Sequence, residues 1–244
     1  MLVQQFQAAP PGKLYCLHGS PDVFRLSLSA AAHVLLGGVP MTLVDGTNRF
    51  DVYYIAEFAR RFAGQQAPDP DRRPVEPDDL LRNIYIARAF TCYQMEATIT
   101  ERLAGFVQRK GSPVVIIFGL LDTFYDDQAP LFEVKAGLQR ILEALRSLKR
   151  NHISVLLASV DVRPASPERN ALLPSLLASM DQVYYVEERE GSVRIEQETG
   201  NQRLLQHGTP ARIDTPRRKE RRETVFKNLN LQVTQSREEP NPNT

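Results

Sequence analysis

The 244-residue sequence is short of several things, and each shortage excludes a class of protein. It has two cysteines, Cys16 and Cys92, both in apolar surroundings. Two are too few for a disulfide framework and lack the CxxC spacing of a zinc or redox site, so a reduced, cytoplasmic setting is expected. No apolar run approaches the roughly 20 residues that span a bilayer, and residues 1–11 carry no basic segment followed by an apolar one, which argues against a membrane partner or a signal peptide. Neither sign of charge is in excess: 30 basic side chains face 29 acidic ones, so the whole chain exerts no long-range pull on nucleic acid or an anionic membrane. The four histidines, His18, His33, His152 and His207, are scattered without metal-ligand spacing, and Ser20 and Ser159 lack a GxSxG elbow. No metal site is expected, and nucleophilic hydrolase chemistry has no support.

What is present is alternation. Apolar runs of strand length recur at residues 13–17, 41–44, 83–87, 114–118 and 153–158, separated by helical patterns or loops. The helical stretches are 26–36, 52–62, 95–107, 131–149 and a shorter one at 172–180. The clearest places Leu138, Ile141, Leu142, Leu145 and Leu148 on one stripe. Strand–helix alternation of this kind implies a mainly parallel sheet flanked by helices. Residues 182–187 and 192–197 read as strands joined by a reversal at 188–191, giving a C-terminal antiparallel hairpin at one edge. Residues 64–79, rich in Pro, Asp, Gln and Arg, read as a surface loop, and the chain from about Gly208 reads as a basic, largely disordered tail. One domain over 1–207 and a tail over 208–244 is the expected partition.

Three segments carry a family resemblance. Residues 17–36, LHGSPDVFRLSLSAAAHVLL, occupy the strand-to-helix junction where RecA-like ATPases hold their phosphate loop. Residues 43–61, LVDGTNRFDVYYIAEFARR, are similar to that family's second strand and following helix, agreeing at Asp45, Phe50, Ile55, Ala56, Glu57, Ala59 and Arg61. Residues 83–94, NIYIARAFTCYQ, resemble the N-[VI]-x-x-A-R-A-[FY] strand of the RadA branch. With the segments downstream in matching order, the chain resembles the RecA/RadA recombinase core over residues 12–197. The resemblance implies an α/β, three-layer, P-loop-type fold.

It also implies what has been lost. A working loop, G-x-x-x-x-G-K-[ST], needs glycine to let backbone N–H groups wrap phosphates, lysine for the β/γ-phosphates and a hydroxyl for Mg²⁺. The frame from Gly19 puts Phe24, Arg25 and Leu26 there. The base that orients water falls on Thr47. The Walker B aspartate falls on Phe118 or Gly119, and the polar sensor on Ala158, Ser159 and Val160. Loss of loop glycine, metal ligand, base and sensor together points to a pseudo-ATPase with no cofactor.

By resemblance the chain is then a non-catalytic partner or scaffold subunit in DNA recombination or repair, paired with a recombinase-type or paralogue subunit in a homo- or hetero-oligomer. Two alternatives stand beside it: a divergent ATP-binding enzyme in which Arg25 replaces the lysine and a partner completes the site, and a regulatory scaffold unrelated to DNA. The strongest local charge signal, PRRKERRETVFK at 216–227, offers Arg217, Arg218, Lys219, Arg221 and Arg222 to phosphates or to a protein partner, with Val225, Phe226 and Leu229 as apolar anchors. A solvated run of mixed charge is the plain reading of the same residues. Asp126 and Asp127 are read as a solvated turn.

Overall fold

A strand covered by helices on both faces must be apolar at almost every position, and four strands of this chain are. The computed structural model describes residues 12–65, 76–162, 164, 166–189 and 192–198. The buried four are β1 (Leu14–Gly19), β2 (Met41–Asp45), β4 (Val114–Phe118) and β5 (Ser154–Val160). They form the middle of a seven-stranded sheet in the order β3-β2-β4-β5-β1-β6-β7, with β3 at Ile84–Arg88, β6 at Gln182–Arg189 and β7 at Ser192–Glu198. All neighbours run parallel except β6 and β7, which form the antiparallel hairpin. Residues 190 and 191, where the reversal falls, lie outside the described residues.

Period-two alternation divides the strand side chains between two cores. On one face Cys16, Val44, Ile117, Leu157 and Val183 pack under α4 (Cys92–Ala97), α5 (Leu103–Lys110), α7 (Leu131–Arg150) and α8 (Leu172–Leu177). On the other, Leu17, Leu43, Ile116, Leu156 and Val186 pack under α1 (Asp22–Leu36), α2 (Val52–Gln65) and α3 (Pro77–Leu81). The result is an α/β protein of three layers. The stripe Leu138–Ile141–Leu142–Leu145–Leu148 of α7 is buried as its spacing requires. No helix among the described residues is long and apolar enough to cross a membrane.

Several boundaries differ from those the sequence suggests, each for a local reason. Helix α1 starts at Asp22, not Leu26: Pro21 immediately before it and Asp22 in its first turn are helix-start residues. Helix α4 starts at Cys92 rather than Met95 because Thr91 caps it, accepting a hydrogen bond from Gln94 N at 3.2 Å. A π-helical turn, Thr98–Arg102, interrupts the stretch between α4 and α5. The loop at 64–79 is partly helical: Glu76 and Asp79 form a reciprocal capping box that starts α3 at Pro77. Residues 66–75 of that loop, His207 and the tail over 208–244 lie outside the described residues.

Candidate functional site at the carboxyl ends of the strands

In a parallel sheet the crevice beyond the carboxyl ends of the strands is where ligands are bound, because side chains of successive loops converge there. Here the loops after β1, β2, β4 and β5 meet at that end, and so do most of the residues singled out in the sequence.

At the end of β1, Gly19 has φ +122°, and a Cβ there would stand 2.2 Å from the carbonyl oxygen of Val186 on β6. Ser20 N donates to that same oxygen at 2.8 Å. Only Ser20 and Pro21 separate β1 from α1. Phe24, Arg25 and Leu26 are therefore helical residues in the first turns of α1, not members of a loop. Phe24 is buried edge-on against Phe118, ring centroids 5.2 Å apart, and the Arg49 guanidinium lies 5.6 Å from its centroid. Arg25 is half-buried.

The ends of β2 and β4 are pressed together. Asp45, fully buried, accepts from the N–H groups of Thr47 (3.1 Å), Arg49 (3.1 Å) and Phe50 (3.0 Å), which folds the chain back over the strand end. Gly46 N donates to Phe118 O at 2.9 Å. Gly119 follows in the left-handed region, φ +65°, and a Cβ on it would fall 2.1 Å from Thr47 Cγ2. The positions read as the lost base and the lost Walker B residue are thus in van der Waals contact. Thr47 Oγ1 is buried with no hydrogen-bond partner among the described residues. Beside them Asp122, in the first turn of α6 (Leu120–Phe124), also buries an unpartnered Oδ2. Burial raises its pKa, and the charge of Arg49 opposes the rise.

The other half of the rim holds charge. His18, the residue before Gly19, is fully buried on β1. Its Nδ1 lies 3.1 Å from Asp161 Oδ1 just past β5, and its Nε2 lies 3.3 Å from Glu198 Oε2 at the end of β7. Burial works to lower the imidazole pKa, but hydrogen bonding to Asp161 and then Glu198 outweighs it and pushes the value up to about 9. The raised value favours the charged imidazole, with Nδ1 hydrogen-bonded to Asp161 and Nε2 facing Glu198. Tyr185 lies alongside, ring centroids 5.4 Å apart. The Tyr125 hydroxyl sits within the influence of Asp161 and Asp122, and burial followed by those two charges raises its pKa.

A third arrangement secures the loops above this rim. Arg169, buried in a 3₁₀ turn (Pro167–Ala171), donates to the carbonyl oxygens of Phe124 at 2.6 Å and Ala129 at 2.5 Å and pairs with Asp127 at 3.2 Å. Asp126 accepts from Gln128 N at 3.0 Å, so both members of that acidic pair act within the loop. His33 reaches Ser29 O at 2.7 Å and stacks edge-on with Phe58, and His152 turns the chain after α7 with φ +61°.

The structure brings Phe24, Thr47, Phe118 and Gly119 into one packed group and places Gly19 against β6. Arg217, Arg218, Lys219, Arg221 and Arg222 lie outside the described residues. His18, Asp161, Glu198 and Arg169 were missed as a set, because Asp161 and Glu198 are far from His18 in sequence and no motif spacing links them. Their imidazole–carboxylate geometry does not converge on a point for an ion, and among the described residues no group of His, Cys, Asp or Glu does. Among the described residues the packed half leaves Thr47 Oγ1 and Asp122 Oδ2 buried without a hydrogen-bond partner. The charged half is an ionic cluster of His18, Asp161 and Glu198. No protein-family model matches this chain, and no curated protein matches it.

Proposed function

We propose that this chain is a RecA/RadA-like subunit that binds no nucleotide and works as a partner or scaffold in DNA recombination or repair, through protein contacts. The observation that carries the nucleotide-free part is the closed strand end: only two residues separate Gly19 from α1, and Thr47 fills the space beside Gly119. A phosphate cradle needs several consecutive backbone N–H groups turned toward one point ahead of a helix. In this chain the N–H groups of Val23 and Phe24 bond back to Ser20 O at 3.1 Å and Pro21 O at 3.4 Å, and the aromatic ring of Phe24 fills the core rather than leaving room for a ligand. Arg25, the residue that would replace the phosphate-binding lysine, lies half-buried in the first turn of α1.

The parallel sheet, the helices on both faces and the C-terminal hairpin support the recombinase-core reading at the level of architecture. Assignment to recombination or repair rests on the sequence resemblance of residues 43–61 and 83–94. A homo- or hetero-oligomer with a recombinase-type subunit follows from the same resemblance, with DNA as an additional ligand through the basic tail.

The test is the thermal midpoint of the full chain with and without excess Mg-ATP. A ligand at 100 times its Kd stabilises by about 2.7 kcal/mol, which for a domain of this size is about 5–10 °C. No shift is expected. A shift of that size would replace this reading with the trans-completed ATP-binding enzyme.

A further inference from the structure

The sheet ends in an edge that is its own complement. Strand β7 pairs with β6 along one side, and no strand among the described residues pairs with its other side. Its side chains alternate: Val193, Ile195 and Gln197 lie on one face, Ser192, Arg194, Glu196 and Glu198 on the other. The register Val186↔Ile195 puts the first set on the face where Val186 and Tyr184 belong to the core under α1. Val193 and Ile195 nevertheless remain 42% and 37% exposed. An edge of this length with an apolar row on one face is a template for another strand.

The order of the charges says which strand. When two copies of one strand pair antiparallel about a two-fold axis normal to the sheet, only residues of the same face can stand opposite each other. Ile195 is the midpoint of Ser192–Glu198, and an axis there overlaps the two strands over their full length. Ile195 then meets Ile195 of the second copy, and Arg194 meets Glu196 of the second copy, twice over by symmetry. Each guanidinium would sit between that carboxylate and its own Glu196, which it already reaches at 2.6 Å. The neighbouring registers fail: an axis on Arg194 sets two guanidinium groups against each other and an axis on Glu196 two carboxylates, and like charges directly opposite are destabilising. On the other face, Val186 and Ile195 of both copies would form one apolar row across four strands.

We propose that two copies of this chain pair through the outer edges of β7, antiparallel and centred on Ile195, in a closed two-fold dimer whose two sheets become one. The contact is the same patch on both copies, so assembly stops at the dimer. It uses no residue of the segments 17–36, 43–61 and 83–94 that carry the recombinase resemblance, and it stands whether or not the chain binds nucleotide. A single strand pair is a small interface, so the dimer is weak and its population follows protein concentration.

The experiment is sedimentation equilibrium of the full-length chain over about a hundredfold range of concentration, on the unaltered protein, Arg194→Glu, Glu196→Arg and an equimolar mixture of the two variants. Both side chains are exposed, so neither change reaches the core. The mass of the unaltered protein should climb toward that of two chains. R194E gathers only carboxylates at the contact and E196R only guanidinium groups, so each variant alone should dimerise at least about tenfold more weakly. In the mixture every cation again meets an anion, and the dimer should return. A monomer at every concentration, dimerisation untouched by the two changes, or no dimer in the mixture would each overturn the proposal. Slow hydrogen exchange at the outward amides of β7 in a monomer would also overturn it and assign the edge to another segment of the same chain. Cysteine substitutions read the register even where a charge variant fails to fold, since Cys16 and Cys92 are buried. Under oxidised glutathione, Ile195→Cys should form a disulfide-linked dimer at least about tenfold faster than Val193→Cys, whose thiols would stand about 13 Å apart along the paired strands. Equal rates would overturn the axis at Ile195.

Discussion

The two halves of the sheet's carboxyl rim solve the same problem in opposite ways. Over β2 and β4 the chain closes the rim with small residues in direct contact, Gly46, Thr47 and Gly119. Over β1, β5 and β7 it buries His18 between two carboxylates, Asp161 and Glu198. The first half is held by shape and the second by charge. The contrast shows two ways of holding a strand end together, by packing and by charge. It also predicts different failures: the filled half should break on added volume, whatever the pH, and the charged half on lost charge, with a pH dependence.

Gly119→Val gives the largest effect. A β-branched residue is strained at φ +65°, and its Cβ would overlap Thr47 Cγ2. Strain and overpacking together should destabilise by about 4 kcal/mol, read from denaturant midpoints. The milder Gly119→Ala should be partly rescued by Thr47→Ala, with a coupling of about 1 kcal/mol. Strictly additive losses would show that the contact between the two is not what closes this half.

His18→Ala breaks the other half and should cost about 3 kcal/mol at pH 7, since it leaves Asp161 and Glu198 facing each other without the cation. The pH dependence of the unaltered protein sharpens the contrast. The folded pKa of about 9 is above the ordinary 6.5, so the stabilisation is fully present below pH 6.5 and is lost as pH rises through about 9. The loss should be about 3 kcal/mol across that window and absent in H18A, as measured by urea unfolding at pH 6, 7.5 and 9.5. An identical pH profile in both proteins would mean that His18 carries no extra proton in the fold. Gly119→Ala should keep the unaltered profile.

Arg169→Met tests whether the loops above the rim depend on one side chain. It orphans the carbonyl groups of Phe124 and Ala129 and frees Asp127, for a loss of about 2 kcal/mol. Limited proteolysis should cut residues 125–130 faster. An unchanged cleavage rate would assign the order of that loop to its apolar contacts alone.

Much of the fold was legible because burial on two faces writes itself into the sequence as unbroken apolar runs. The run at 114–118 coincides with β4, and the other parallel strands begin or end within two residues of their runs. Helix α1 starts four residues before the Ala/Leu/Ser-rich stretch at 26–36, although Pro21 and Asp22 are helix-start residues that the sequence displays. The closed half of the candidate site was legible in part: Thr47, Phe118 and Gly119 were singled out by resemblance, and only coordinates reveal that they touch. The charged half was not legible, since a lone histidine at a strand end carries no sign of partners brought in by β5 and β7. Arg169 was silent for the same reason, because its acceptors are main-chain oxygens, which any sequence could provide.

The smallest effect comes from Asp122, which follows Gly119 beside the closed half. Its Oδ2 is buried near the closed end without a hydrogen-bond partner among the described residues, and burial holds its pKa above the ordinary carboxylate range. Folding therefore disfavours its charged form, so its contribution is most favourable at low pH and declines as pH rises through the carboxylate range. Asp122→Asn keeps the shape and removes the charge. At pH 7 it should stabilise by up to about 1 kcal/mol, and the gain should vanish toward pH 3, where the aspartate is itself neutral. A loss instead of a gain at pH 7 would show that attraction from Arg49 outweighs burial, and would draw Asp122 into the half of the rim that is held by charge.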